Sequence, residues 1–259
     1  MRPKLAFVGP TLARDEAGVV TDAVLLPPAV QGSVIDAVQR FDPAAILIVD
    51  GGFQTEPAVR HKEILWAIGN GVPVLGAASM GALRAAELAP FMQGVGVVYR
   101  WYRRFVYAPD DAVAVLHGPA DMGCAPLTDA LVDIRLTVRA AWRGGLIGGA
   151  CAAALNTAAS DMDFRTRTLE AVVRRVFERE PAKAARVAAM LRASFVSRKK
   201  ADALLALRML QEGRFAPAPS LPPMPLTAAF AADLSAAGLT LAWPECPGPR
   251  ESVYPTSGQ

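Results

Sequence analysis

The chain has 259 residues, 53% hydrophobic and 20% charged, with a formal net charge of +3. Such a composition excludes a disordered polymer and suffices for one large domain or a core domain with a helical extension. The basic excess is too slight to imply nucleic acid, which calls for a concentrated basic stripe.

At the N-terminus, Arg2 and Lys4 lead into an apolar run that stops at Gly9-Pro10. The run is too short for a signal-peptide core of about 7 to 15 residues. No stretch approaches the roughly 18 uninterrupted apolar residues of a membrane span. A cytoplasmic location with no membrane association is expected. Residues 5–8, 45–49, 72–78 and 112–116 are short apolar runs bounded by turn signals, the pattern of strands buried on both faces. Between the second and third lies a helical segment, 57–71, with Thr55 as N-cap, Pro57 in its first turn and Gly69 to Gly71 as its stop. That is a βαβ unit, so its strands should be parallel and its crossover right-handed.

From about residue 126 the apolar spacing becomes helical, over 127–144, 164–195 and 197–212. In the second of these, charged residues alternate with apolar ones and predict a solvated face. Beyond Phe215 the chain holds nine prolines, five of them between Pro217 and Pro225, which predicts an extended tail. The expected fold is an α/β parallel-sheet core carrying a strand–turn–helix like a nucleophile elbow, followed by a mostly helical C-terminal region. The divisions are 1–125 for the core, 126–212 for the helices and 213–259 for the proline-rich tail. Cys124, Cys151 and Cys246 are odd in number and widely spaced, fitting neither a disulfide framework nor a zinc site. No metal is expected.

In open parallel sheets, ligands bind at the carboxyl ends of strands, where helix N-termini and loop amides converge. The four apolar runs lead into Gly9-Pro10-Thr11, Asp50-Gly51-Gly52, Ser79-Met80-Gly81 and His117-Gly118-Pro119. Together these small and polar exits predict a cleft. The third is the most informative, because a small-x-Ser-x-Gly pattern between strand and helix exposes a serine at a sheet edge. Ala77 stands where the first glycine of that pattern would be. Ser79 reads equally as a nucleophile, with the Met80 N–H as oxyanion donor, or as the N-cap of a helix over 81–88.

A nucleophilic serine needs a base, and the choices are Lys62 and the two histidines, His61 and His117. On a helical wheel His61 falls mid-stripe with Ala58, Ile64, Leu65 and Ile68, which suits a packed core residue as well as a catalytic one. Lys62 lies at the border of that stripe. It reads either as a partly desolvated proton acceptor for Ser79 or as a snorkelling surface lysine. Asp50 orients a base, binds a ligand amine, or simply makes an Asp-Gly turn. Arg84 and Glu87 stand three apart on the helix after Ser79, placed to pair with each other or to meet an acidic ligand. Neither Gly9-Pro10-Thr11 nor Asp50-Gly51-Gly52 matches a dinucleotide or P-loop fingerprint, and no cofactor is expected.

The segments Phe7-Val8-Gly9-Pro10-Thr11-Leu12, Ile48-Val49-Asp50-Gly51 and His61-Lys62-Glu63-Ile64-Leu65-Trp66-Ala67 closely resemble TfuA-like proteins, in the same order. So do residues 76–88 around Ser79 and Val113 to Pro119. The resemblance covers roughly residues 5 to 145, and the thirteen-residue Ser79 segment is its most specific part. Arg198-Lys199-Lys200-Ala201-Asp202-Ala203 is only loosely similar. The resemblance implies a role beside a YcaO-type ATP-dependent enzyme, which activates a backbone amide of a precursor peptide so that sulfur replaces oxygen. It implies further that the protein supplies the sulfur by hydrolysing the C-terminal thiocarboxylate of a ThiS-type carrier. The family's Ser-Lys site maps by motif onto Ser79 as nucleophile and Lys62 as base. Gly9, Thr11, Asp50 and Gly51 are further candidates for holding the oxyanion or the carrier tail, with Gly51-Gly52 and Gly118 leaving it space. His61, Arg84 and His117 are secondary candidates.

Two other readings compete. One is a non-catalytic adaptor that docks a YcaO enzyme and its peptide through the helical region. The other is a small-molecule acyl hydrolase, which lacks the histidine that should follow the acid in such enzymes, because both histidines come too early in the chain.

Overall fold

A computed structural model describes residues 2–54, 56–119, 123–222 and 226–240. Ten elements alternate through the first part of the chain: β1 Lys4–Phe7, α1 Arg14–Gly18, β2 Val24–Leu26, α2 Ser33–Phe41, β3 Ala45–Ile48, α3 His61–Gly69, β4 Val74–Ala77, α4 Met80–Glu87, β5 Gln93–Val95 and α5 Gly96–Arg104. A 3-10 turn at Asp110–Val113 follows. Then come α6 Leu131–Arg143, α7 Gly149–Ser160, α8 Leu169–Val176, α9 Pro181–Ala193, α10 Arg198–Gln211 and α11 Ala228–Ala236. The strands form one all-parallel sheet in the order β2-β1-β3-β4-β5, with Phe7 opposite Ile48, Ile48 opposite Gly76, and Ala77 opposite Val95. The order reverses between β1 and β3, and the carboxyl ends there open the crevice where such sheets take ligands.

The continuous apolar runs are explained by burial on both sheet faces. Leu5, Phe7, Ile46, Ile48 and Val74 point into one cluster with Val34, Ile64 and Ile68, and with α6 to α9 through residues such as Leu131 and Leu155. Their alternates Ala6, Val8, Leu47, Val49 and Leu75 point into a second cluster, completed by Ala203, Ala206, Leu207 and Leu210 of α10. A helix more than a hundred residues downstream in the chain therefore supplies the layer that desolvates the second face. Each fully buried leucine there contributes about 1.5–3 kcal/mol.

Several expectations change. The run 112–116 is no strand: its first residues belong to the 3-10 turn, and the rest is a loop held by Leu127 N donating to Leu116 O and Leu116 N donating to the Thr128 hydroxyl. Pro109-Asp110-Asp111 favours that turn, and the run has no sheet neighbour. Two strands went unseen because they are short; β5 is Gln-Gly-Val rather than apolar, and β2 is half-exposed. The helix after β3 begins at His61 instead of Pro57, with Arg60 at its N-cap and the Glu63 carboxylate accepting the Arg60 N–H. Thr55 lies outside the described residues. The helical stretch 164–195 is broken between α8 and α9, where Pro181 opens the new helix. The tail is not wholly extended: Thr227 caps α11, which buries Phe230 and Leu234 against Ile35. Residues 241–259, with Cys246, lie outside the described residues. No helix among the described residues is long and apolar enough to cross a membrane.

Candidate active site

β4 ends at Ala77, Ala78 turns the chain at φ +65°, and Ser79 at φ −120°, ψ −125° leads directly into α4. The turn is pinned by Ser79 N donating to Ala77 O at 2.7 Å and by Gly81 N donating to Val49 O at 3.2 Å. The small residues of the motif answer a packing demand. A Cβ on Gly81 would lie 1.8 Å from the Ile48 carbonyl oxygen, and one on Gly76 would lie 2.1 Å from the Gly81 carbonyl oxygen. Only hydrogen at these positions lets α4 cross β3 and β4 at backbone contact. The left-handed strain falls on Ala78 rather than on the serine, so this turn differs from the elbow in which the serine itself is strained.

Ser79 occupies the N-cap position of α4, yet its side chain makes no cap hydrogen bond, and its hydroxyl has no partner among the described residues. The residue is 9% exposed and lines a cavity of about 740 Å³ with Asp50, Gly51, Met80, Val113 and His117. The Met80 N–H, at the first helical position, has no acceptor within the helix. An unbonded hydroxyl beside a helix N-terminal donor that has no acceptor among the described residues supplies two of the parts acyl transfer needs, a nucleophile and an oxyanion donor.

Asp50 is buried and accepts Gly9 N at 2.9 Å, Thr11 N at 3.1 Å and the Thr11 hydroxyl at 2.5 Å. Its carboxylate laces the exit of β1 to that of β3. The N–H groups of Gly9 and Thr11 are thereby consumed, which removes them as oxyanion donors. Gly51 lines the cavity, and the place of its missing side chain is taken by neighbours, since a Cβ there would meet Met80 at 2.7 Å and the Ala29 carbonyl at 2.8 Å. Among the described residues, the one atom near a Cβ at Gly118 is the Ala125 carbonyl oxygen, 3.8 Å away.

The remaining candidates separate. His117 is exposed, lines the Ser79 cavity and has its Nδ1 2.8 Å from its neighbour's carbonyl, Gly118 O. His61 is not a core residue: it opens α3, is exposed, and pairs Nε2 with Glu87 at 2.8 Å. Arg84 joins the same carboxylate at 2.7 Å and donates to the Val59 carbonyl, so this trio ties α3 to α4. Burial opposes it, but the hydrogen bonds from His61 and Arg84 hold Glu87 below the usual carboxylate range. Lys62 Nζ donates to the Thr227 hydroxyl at 2.6 Å and stands 5.8 Å from the Phe230 ring centre, under α11. It is not among the residues lining the Ser79 cavity.

One lysine that sequence reasoning passed over is buried. Lys199 is 4% exposed and donates to the Val113 carbonyl at 2.6 Å. Burial pushes its amine below the usual lysine range, against the attraction of Asp50 and Asp133. Its signal was its spacing, for Lys199 continues the apolar stripe of Ala203, Ala206 and Leu210 on α10. Cys124 and Phe164 also line the Ser79 cavity, and neither was anticipated; Phe164 meets Phe53 edge-on with centroids 5.6 Å apart.

Among the described residues no group of three or more His, Cys, Asp or Glu side chains is arranged to hold a metal ion. No curated protein matches the chain. Residues 50–168 match the family described as TfuA-like protein, a span that includes Asp50, Lys62, Ser79 and His117. Over that span the chain is similar to TfuA-like proteins, a family associated with YcaO-type thioamidation systems.

Proposed function

We propose that the chain is an accessory hydrolase of peptide backbone thioamidation, working in the cytoplasm. It releases sulfide from a thiocarboxylated ThiS-type carrier for a partner YcaO enzyme that acts on a precursor peptide. The observation that carries this reading is the unbonded Ser79 hydroxyl, set in a cavity at the start of α4 beside the free Met80 N–H. Ser79 Oγ adds to the carrier's terminal carbonyl carbon as its proton passes to a base, and the Met80 N–H stabilises the oxyanion. The carbon–sulfur bond then breaks, the proton leaves with the sulfur as hydrosulfide, and water cleaves the ester to return serine and carrier carboxylate. In the family's Ser-Lys arrangement the base is Lys62, which must first leave Thr227. His117, already lining the cavity, is the other proton acceptor at hand.

Purified protein mixed with thiocarboxylated carrier should release sulfide and convert the carrier to its carboxylate mass. Ser79→Ala should abolish both, and full activity in that variant would sink the nucleophile assignment.

A second reading, the adaptor, has its own support. Phe105, Val106 and Tyr107 are 50%, 77% and 98% exposed, directly after Arg103 and Arg104 at the end of α5. Such a basic, apolar tip suits partner binding. If Ser79→Ala still supports thioamidation when free sulfide is supplied, while Tyr107→Ala with Val106→Ala does not, docking is a separate duty of this tip.

A further inference from the structure

We propose that Lys199 and the cavity it lines bind the carboxylate or thiocarboxylate that ends an extended peptide chain; that the chain is a sulfur carrier rests on the reading above. The cavity, about 470 Å³, is lined by Lys199, Thr11 and Asp133, and it shares Pro10, Val115 and Cys124 with the Ser79 cavity. Lys199 stands at the partition, since the carbonyl it bonds belongs to Val113, which lines the other side.

The amine is under-used where it sits. An ammonium has three donors, and one of them is spent on Val113 O. No carboxylate among the described residues lies within ion-pair distance of it. The acids facing it are committed to backbone donors: Asp50 on the β3 side to Gly9 and Thr11, and Asp133 on α6 to Arg198 N and Lys199 N. Arg167, the other cation nearby, is paired with Asp111, and Lys200 with Glu16. A buried ammonium with no carboxylate in ion-pair contact is costly to keep charged, and an incoming anion would offset that cost. A monoanion fits better than a phosphate dianion, because Glu16, Asp129 and Asp133 also line this cavity and would repel a second charge. A chain end entering the Ser79 cavity therefore finds its counter-charge at the wall the two cavities share.

The test uses the full-length protein and a fluorescent pentapeptide ending in Gly-Gly, made with a free carboxylate or a terminal amide, read by anisotropy. Wild type should prefer the free acid by about tenfold or more, the worth of one charge-assisted hydrogen bond. Lys199→Met should erase the preference, and the same change at Lys183, a half-exposed lysine on α9 paired with Glu180, should keep it. Equal binding of both peptides by wild type, an undiminished preference in Lys199→Met, or displacement by millimolar inorganic phosphate as strong as by free acid would each overturn the proposal. If Lys199→Met does not fold, reductive methylation of wild type decides: the free acid should protect Lys199 and the amide should not, and equal labelling overturns the site. Because binding is read without sulfide release, a preference for the acid with no hydrolysis would sink the hydrolase reading and leave this site standing.

Discussion

The Thr11 hydroxyl donates to Asp50 at 2.5 Å, joining the loop after β1 to the loop after β3 across the point where the strand order reverses. Asp50 is 1% exposed, so its hydrogen bonds are charge-assisted and shielded from water. Thr11→Val should cost about 1.5–3 kcal/mol, the worth of a bond to a charged acceptor. Asp50→Ala should cost more, because it strands the Gly9 and Thr11 N–H groups as well. Urea unfolding of both variants measures this, and an Asp50→Ala cost below that of Thr11→Val would show that the lacing is not what holds the loops.

Ser79→Ala should separate catalysis from capping. A serine whose side chain caps a helix costs about 1 kcal/mol when replaced by alanine. Here the hydroxyl caps nothing, so the change in unfolding free energy should stay within about 0.5 kcal/mol, as at positions without a special role. Thiocarboxylate hydrolysis, by contrast, should fall by at least ~10³-fold, the loss that follows removal of a covalent nucleophile. A variant that is both less stable and fully active would return Ser79 to the role of a cap.

The sheet core was legible because burial on both faces writes continuous apolar runs, as in Ala45–Ile48 and Val74–Ala77. The edge strands were not: Gln93–Val95 is placed by its pairing with β4, and Gly94 is there because a Cβ would fall 2.1 Å from the Tyr99 ring. Ser79 was legible as a position, but whether its hydroxyl was free or capping depends on a turn geometry that residue types do not encode. The environment of Lys62 was read from its own helix, whereas α11 decides it from more than 160 residues away. Lys199 went unnoticed because its neighbours Arg198 and Lys200 make the segment read as a charge run, although its stripe position on α10 marked it as inward.

Stability should fall as pH rises from about 4.5 to about 7. Burial pushes Glu63 up to about 7, although it accepts N–H groups from Gly32, Val34 and Arg60, and burial pushes Asp133 up to about 6. Between the ordinary carboxylate values and these raised ones, the unfolded chain has released protons that the folded chain keeps. Raising pH through that window therefore favours unfolding, by on the order of 3 kcal/mol for Glu63, and the effect levels off above it. The pair of Glu87 with Arg84 and His61 works the other way, since a lowered carboxylate loses its contribution only as pH falls below the ordinary range. Denaturant unfolding at pH 5 and pH 8 should show the more stable protein at pH 5. Glu63→Gln should shrink that difference by about half, on the same linkage; a protein more stable at pH 8 would contradict the assignment.

Gly81 and Gly118 give opposite forecasts for the same substitution. Gly81→Ala must place a methyl 1.8 Å from the Ile48 carbonyl oxygen, and neither partner can yield, because one is helix α4 and the other strand β3. Separating them would also move Ser79 away from the crevice, since the Gly81 N–H bond to Val49 O is what holds the turn to β3. The cost should exceed ~3 kcal/mol, in the range reserved for severe overpacking, and carrier hydrolysis should be lost with it. Among the described residues Gly118→Ala meets only the Ala125 carbonyl at 3.8 Å, an ordinary contact, and its φ is not in the left-handed region. Its stability should stay within about 0.5 kcal/mol of wild type. If the carrier tail runs past Gly118, hydrolysis in that variant should show a raised KM with kcat little changed, because the added methyl narrows a passage without touching Ser79. Unchanged KM would move the tail's path to the other side of the cavity, toward Phe53 and Phe164.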